Sequence, residues 1–291
     1  MTLVMPVWRP REQWLREAVD GALGQRDCEH EVIVVDDGCD RPVSDLLADV
    51  IDPRLRIVRV PHGGVCAARD TGLAEARGQW IRYIDADDVL EPGSTARLLR
   101  AVRGREDLIA YGATAMCDEE LTLKWVLRCR LEGDIAKQCL LGRFTVRLPA
   151  LLFPRAVAER VGRWDPTFRV AEDWDFVLRA LDHAEVRRDP GVAAYYRRHG
   201  DGLTGDPTAG PRDLERLVER HLDRHPELAG TPLERRIRGM RHAVSSRIHL
   251  GRGHPRRAAR DLLAALAADP RAVSAEARQS LPGLPSRLRR K

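Results

Sequence analysis

The residues of this 291-residue chain best suited to chemistry are carboxylates, in two short runs: Asp36-Asp37 and Asp85-Ala86-Asp87-Asp88. Three acidic side chains within four positions repel one another once ionised, so some positive charge must offset that cost. A divalent cation does so most simply, because Mn²⁺ and Mg²⁺ take carboxylate oxygens together with phosphate. An isolated D-x-D is common in acidic turns, and the pattern gains weight from its company. Pro6-Val7-Trp8 and His62-Gly63-Gly64 close two further apolar runs, so four chain segments end in polar or aromatic groups at regular spacing.

The elements that must position these groups alternate. Residues 3–7 and 32–35 are apolar runs of strand length, residues 55–60 and 80–84 read as a third and a fourth strand, and residues 12–23, 42–50 and 65–76 between them carry helical signals. Continuous apolar strands alternating with helices specify a parallel sheet covered on both faces. In such a sheet ligands bind beyond the carboxyl ends of the strands, where all four motifs fall. Strands are also expected at 108–113, 122–129, 148–153 and 192–197, with a helix over 171–181 that opens with acidic residues. A loop rich in Gly, Pro, Asp and Thr over 200–211 marks a boundary between a domain of residues 1–205 and a basic helical extension of residues 211–291. Helices are expected there at 212–224, 233–250 and 255–268, with a frayed basic end over 279–291.

The segments TLVMPVWRP, REAVDGALGQ, EVIVVDDG, LRIVRVPHGGVCAARDTGLAEARGQWIRYIDADD and AEDWDF together resemble the family-2 glycosyltransferases of the GT-A fold. The similarity is nearly continuous over residues 2–110 and resumes over 148–200. It implies an α/β fold of the nucleotide-diphospho-sugar transferase type, Rossmann-like with a mostly parallel central sheet and here a C-terminal helical appendage. It also implies an inverting transfer of sugar from a nucleotide diphosphate donor, with Mn²⁺ or Mg²⁺ as cofactor.

Matched position by position, the resemblance assigns nucleotide binding to Pro6, Val7, Trp8, Asp37, Arg69, Asp85 and Ala86. Asp37 would accept a hydrogen bond from the imino group of the base, with uracil expected. Trp8 would stack on the ring, in a place where the family usually has Tyr followed by Asn. Arg69 would face the phosphates, and Asp70 stands where Asn is usual. Asp85 would contact ribose and the metal, Asp87 would bind the metal, and His199 is a further candidate ligand. Asp88 is expected to cap the turn or support its neighbours. Asp173 is the expected general base, with Glu172 its alternate, and Trp174, Phe176, Val177 and Leu178 are expected to dock their helix on the core. Arg197 and Arg198 either assist the diphosphate or point outward.

Composition bounds the rest. No run approaches twenty apolar residues, and the amino terminus lacks the marks of a secretory signal, so a cytoplasmic protein is expected. Cys28, Cys39, Cys66, Cys117, Cys129 and Cys139 form no C-x-x-C pair, which fits reduced thiols and argues against zinc. Residues 1–100 carry a net −5, residues 101–210 carry 0, and residues 211–291 carry 19 basic against 9 acidic side chains, or +10. That basic region suits a solvated helical face or peripheral contact with an anionic membrane. No nucleic-acid partner is expected. The expected partners are a nucleotide-sugar donor and a hydroxyl-bearing acceptor: a saccharide, a lipid-linked saccharide or a small metabolite. Two other activities fit the sequence less well. A GT-A-like nucleotidyltransferase calls for a Gly-rich basic motif where this chain has Pro6-Val7-Trp8-Arg9-Pro10. A catalytically silent nucleotide-sugar-binding protein is opposed by the intact Asp85, Asp87 and Asp173.

Overall fold

A computed structural model describes residues 1–144, 146–199 and 209–280. The expected loop over 200–211 and the expected frayed end over 279–291 lie mostly outside the described residues. The strands are β1 (Thr2–Val7), β2 (Glu31–Asp37), β3 (Leu55–Val60), β4 (Trp80–Tyr83), β5 (Val89–Leu90), β6 (Leu108–Cys117), β7 (Leu123–Leu127), β8 (Leu151–Pro154) and β9 (Glu185–Arg197). The helices are α1 (Glu12–Leu23), α2 (Val43–Leu46), α3 (Val65–Glu75), α4 (Ser94–Val102), α5 (Ala136–Leu140), α6 (Arg155–Val161), α7 (Glu172–Leu181), α8 (Ala209–Arg224), α9 (Pro232–Gly251), α10 (Pro255–Ala268) and α11 (Pro270–Ser280).

Among the described residues nine strands form one sheet in the order β3-β2-β1-β4-β8-β6-β9-β5, with β7 on β6. β1–β4, β6 and β9 run one way, and β5, β7 and β8 run against them. The mostly parallel α/β sheet is therefore present. β1 is buried along its whole length, as an inner strand with helices on both faces must be. Gly72 lets α3 pack against it, since a Cβ there would stand 2.2 Å from Val4 Cγ1.

Two elements differ from expectation for local reasons. The second helix is only Val43–Leu46. Asp52 instead accepts the Arg54 N–H at 2.8 Å and turns the chain into β3. β9 begins at Glu185, ahead of the expected start at 192, and runs through Pro190-Gly191. The sheet absorbs them by a register shift, with Tyr111 opposite Arg188 and Ala113 opposite Val192. Buried Arg82 ties β4 to its surroundings by donating to the Pro149 and Ala193 carbonyls and to the Ser94 and Thr95 hydroxyls. Burial lowers its pKa to about 9.

The chain divides into two compact units. The first comprises Met1–Ile135, Thr145–Thr167 and Phe176–Gly200 and holds the sheet; the second comprises Ala136–Phe144, Phe168–Asp175 and Asp201–Lys291. In the second, α9 packs on α8, α10 and α11, with Ile237, Met240, Ala258 and Ala265 buried among them. No helix among the described residues is long and apolar enough to cross a membrane.

Candidate active site

The parallel register brings the ends of four strands to one edge of the sheet. Val7 lies opposite Asp36, Asp37 opposite Val60, and the Ile84 N–H donates to the Val4 carbonyl. The two aspartates of β2 then do different work. Asp36 is buried and accepts from the N–H groups of Cys39 at 2.8 Å and Val43 at 3.0 Å, and from Arg59 Nη1 at 2.7 Å. Burial pushes its carboxyl up, but those donors outweigh burial and hold it below its ordinary value. Asp37 shapes the loop after β3, accepting from Gly63 N–H at 2.7 Å and Gly64 N–H at 2.9 Å. His62 Nδ1 lies 2.8 Å from the same carboxylate. Gly64, at φ 86°, supplies the left-handed turn into α3 that this loop requires.

Pro6 and Val7 are buried within β1, so of the three residues expected at the base pocket only Trp8 offers an exposed ring. That ring stacks on His62 with centroids 4.8 Å apart and planes 19° apart. Arg69, buried on α3, donates through Nη2 to Asp85 Oδ1 at 2.9 Å, and its guanidinium lies 4.5 Å from the Trp164 ring centre. Trp164 in turn stacks on Phe176 at 4.0 Å, and Asp70 accepts its backbone N–H at 3.0 Å. The residue at the family's Asn position thus fixes the indole beneath Arg69.

The turn Asp85-Ala86-Asp87-Asp88 follows β4, closed by the Asp88 N–H donating to the Asp85 carbonyl. Asp85 and Asp87 are about one-third exposed, whereas Asp88 is buried. Asp87 Oδ2 lies 2.7 Å from Nε2 of His199, just past β9. Burial first, and then the charge on Asp85, push the Asp87 carboxyl above its ordinary value against the pull of His199. Asp88 is driven well above, by burial and then by Asp87 and Asp85. Its Oδ1 accepts the Arg197 N–H at 2.9 Å, and its Oδ2 is buried with no hydrogen-bond partner among the described residues.

Arg197 does not point outward, the second of its two expected orientations. It is buried, donates to the Asp87 carbonyl at 2.9 Å, and bonds the Glu119 carbonyl and the Glu17 carboxylate. One side chain thereby binds α1, the acidic turn and the β6–β7 hairpin together. Strand alternation after Val192 could have shown its inward direction, but an inward arginine next to Arg198 and His199 is indistinguishable from a surface cluster without the partners. Arg147 was also missed. It sits 5.2 Å from the Tyr196 ring centre and acts on Asp88 as a nearby positive charge.

Glu172 and Asp173 belong to the second unit and form the first turn of α7. Glu172 is buried, and Asp173 is half-buried with Oδ1 accepting the Trp174 N–H at 2.7 Å. Phe176, Val177 and Leu178 are buried as expected, while Trp174 is only half-buried, its ring 6.4 Å from Phe144. Upstream, buried Asp213 of α8 accepts the N–H groups of Arg169 at 2.7 Å and Val170 at 2.8 Å, anchoring the segment that enters α7. Nothing in the sequence marked Asp213, because an aspartate in the first turns of a helix is ordinary.

Asp87 and His199 meet as a carboxylate and imidazole pair, whereas Asp85 is engaged by Arg69, and the three do not converge as a ligand group in the structure; the two carboxylates are of the kind that Mn²⁺ and Mg²⁺ take.

The mostly parallel α/β sheet with an acidic turn at its carboxyl edge is that of a GT-A fold, as its family and its structural likeness both show. The chain belongs to the glycosyl transferase family 2, whose sequence model matches residues 2–156, more than half of it. It is 27% identical over 219 residues to an uncharacterized glycosyltransferase, EpsJ, of Bacillus subtilis (strain 168), covering 71% of this chain and 63% of that protein. It is 33% identical over 100 residues to the succinoglycan biosynthesis protein ExoO of Rhizobium meliloti (strain 1021), covering 34% of this chain and 28% of that one. The chain therefore spans less than two-thirds of the length of either relative. Its fold is similar to the crystal structure of S. aureus TarS 1–349 in complex with UDP-GlcNAc, with a TM-score of 0.63 at 14% identity, over 97% of this chain and 93% of that one.

Proposed function

We propose that this protein is a metal-dependent, inverting glycosyltransferase that moves a sugar from a nucleotide diphosphate, foremost a uridine nucleotide, to an acceptor hydroxyl. The pairing of Asp87 with His199 at the acidic turn carries the reading. Support also comes from the family, from the ExoO likeness, and from the UDP-GlcNAc that TarS binds in the same fold. The setting fits synthesis of glycans, polysaccharides or glycoconjugates.

In this reading Trp8 provides a face for the base, and Asp37 holds the loop that borders it and accepts from the base. Arg69 orients Asp85 toward the ribose. Asp85, Asp87 and His199 would hold Mn²⁺ or Mg²⁺, which when bound offsets negative charge on the departing diphosphate. Asp173 takes the proton from the acceptor hydroxyl as that oxygen attacks the anomeric carbon from the side opposite the diphosphate. Attack from that side inverts the anomeric centre.

The test is release of nucleoside diphosphate from a panel of nucleotide sugars, with Mn²⁺ and with EDTA, in the presence and absence of simple saccharide acceptors. Release of UDP that requires Mn²⁺ is expected. Tight nucleotide-sugar binding without release would instead make the chain a silent binding protein, and failure to bind any nucleoside diphosphate would overturn the reading.

A further inference from the structure

The positive charge after residue 210 is not spread evenly. Arg238 pairs with Glu219 and Glu234, Arg241 with Glu215, and Arg247 with Glu276. Arg256, Arg257 and Arg260 of α10 form no ion pair with any described residue. All three are exposed; Arg256 and Arg260 share the outer side of α10 with exposed leucines Leu263 and Leu266, while Leu262 and Arg257 lie on its two flanks, Arg257 near enough to α9 to act on His249 as a positive charge.

The helix has two unlike faces. One packs on α9 through buried Ala258 and Ala265. There Ser246 Oγ donates to the Ala258 carbonyl at 2.8 Å, and His242 Nδ1 lies 3.1 Å from Asp261 Oδ1. At 100° per residue Leu263 stands opposite that face, and it is 68% exposed. Leu266 flanks it on one side and Arg256 and Arg260 on the other, with Leu262 further round toward the packed face. Asp261 is the helix's only carboxylate within Pro255–Ala268, and it is turned toward α9. The outer face therefore combines leucines, arginines and no acid.

We propose that this face of α10 docks on an anionic lipid surface, its leucines entering the interface and its arginines meeting lipid phosphates. A helix of this composition lies in the plane of a bilayer, where acyl chains and headgroup phosphates answer both kinds of side chain at once. A second copy of the chain answers neither charge. A two-fold contact on this face would set arginines against arginines with no carboxylate to meet them. Docking is independent of which donor the sheet edge takes, so either reading can fail without the other.

Flotation of the full-length protein with vesicles tests it, using phosphatidylcholine alone or mixed with phosphatidylglycerol. The protein should float with the mixed vesicles at about 0.1 M salt and fall away toward about 1 M, where the screening length shrinks to ~3 Å. It should not float with phosphatidylcholine alone. Arg256→Gln, Arg257→Gln and Arg260→Gln combined should weaken partitioning roughly a hundredfold. Leu262→Ser, Leu263→Ser and Leu266→Ser combined should weaken it at least about tenfold, because burial of each leucine is lost. Circular dichroism and donor turnover should match the parent in both variants, since these side chains are exposed and take no part in the sheet-edge site. No flotation of the parent, or equal flotation of parent and variants, would overturn the proposal. So would a parent dimer in light scattering that the leucine variant converts to a monomer.

Discussion

Oδ2 of Asp87 and Nε2 of His199 lie 2.7 Å apart although 112 residues separate them in the chain. The contact exists because β9 pairs with β5, which directly follows the acidic turn, and because Asp88 accepts the Arg197 N–H. The carboxylate from the first half of the sheet and the imidazole from the second thus meet at one point.

If the two are joint metal ligands, His199→Ala should weaken Mn²⁺-supported UDP binding by at least about tenfold, since loss even of groups that support ligands costs that much. The melting temperature without metal should hardly change. Titration calorimetry with and without Mn²⁺ checks this, and unchanged affinity would remove His199 from the metal site.

Arg197 should matter for stability before it matters for binding. Arg197→Met leaves the Asp87 and Glu119 carbonyls and the Glu17 carboxylate without their shared donor, and removing one partner of a buried charged network costs about 3–5 kcal/mol. Urea denaturation measures the loss. Arg197→Lys should recover only part of it, because an ammonium lacks the planar fork that reaches three acceptors. A loss below about 1 kcal/mol for the methionine variant would mean that the hub is dispensable.

The pH dependence of stability should carry the mark of Asp36. Its carboxyl ionises at lower pH in the folded chain than in the unfolded one. The unfolded state therefore binds the extra proton, and the contribution is fully present above the unfolded pKa of about 3.9 and lost as pH falls through the lower folded value. Asp36→Asn should cost about 2–3 kcal/mol near neutrality, the range for charge-assisted hydrogen bonds. The gap to the parent should narrow as denaturation is repeated at lower pH. A gap that stays constant with pH would assign the effect to packing.

Asp173→Asn keeps the side chain's shape and its place in the first turn of α7 but removes proton acceptance. Nucleotide affinity should persist while kcat falls at least about a hundredfold, the lower end for general-base catalysis. Glu172→Gln run in parallel should retain most activity. The reverse outcome would transfer the role to Glu172, and near-normal rates for both would remove the motif from the chemistry.

The first half of the fold is legible because β1 and β2 are apolar runs and β3 and β4, though interrupted by Arg56, Arg59 and Arg82, keep enough apolar residues to read as strands, each closed by a turn. That pattern places Trp8, Asp37, Asp85 and Asp87 on one edge. What stayed hidden depends on long-range pairing. The first half of β9 was not read as strand, because only the partner strand's register shift accommodates Pro190-Gly191. Arg197 looked like surface because its acceptors lie on three distant segments. Asp36 and Asp37 were alike in sequence, and the structure separates them by their donors: Cys39, Val43 and Arg59 for one, the His62-Gly63-Gly64 loop for the other. α11 went unread because Val273 is the one large apolar residue in PRAVSAEARQS.

The central claim is that Asp87 holds a divalent ion on which donor binding depends. Titration calorimetry of UDP into the parent and Asp87→Asn, each with Mn²⁺ and with EDTA, tests it most directly. The parent should bind UDP with Mn²⁺ and lose most affinity in EDTA, while Asp87→Asn should bind weakly and equally in both, with an unchanged circular dichroism spectrum. A Mn²⁺-dependent affinity in Asp87→Asn equal to the parent's would contradict the claim.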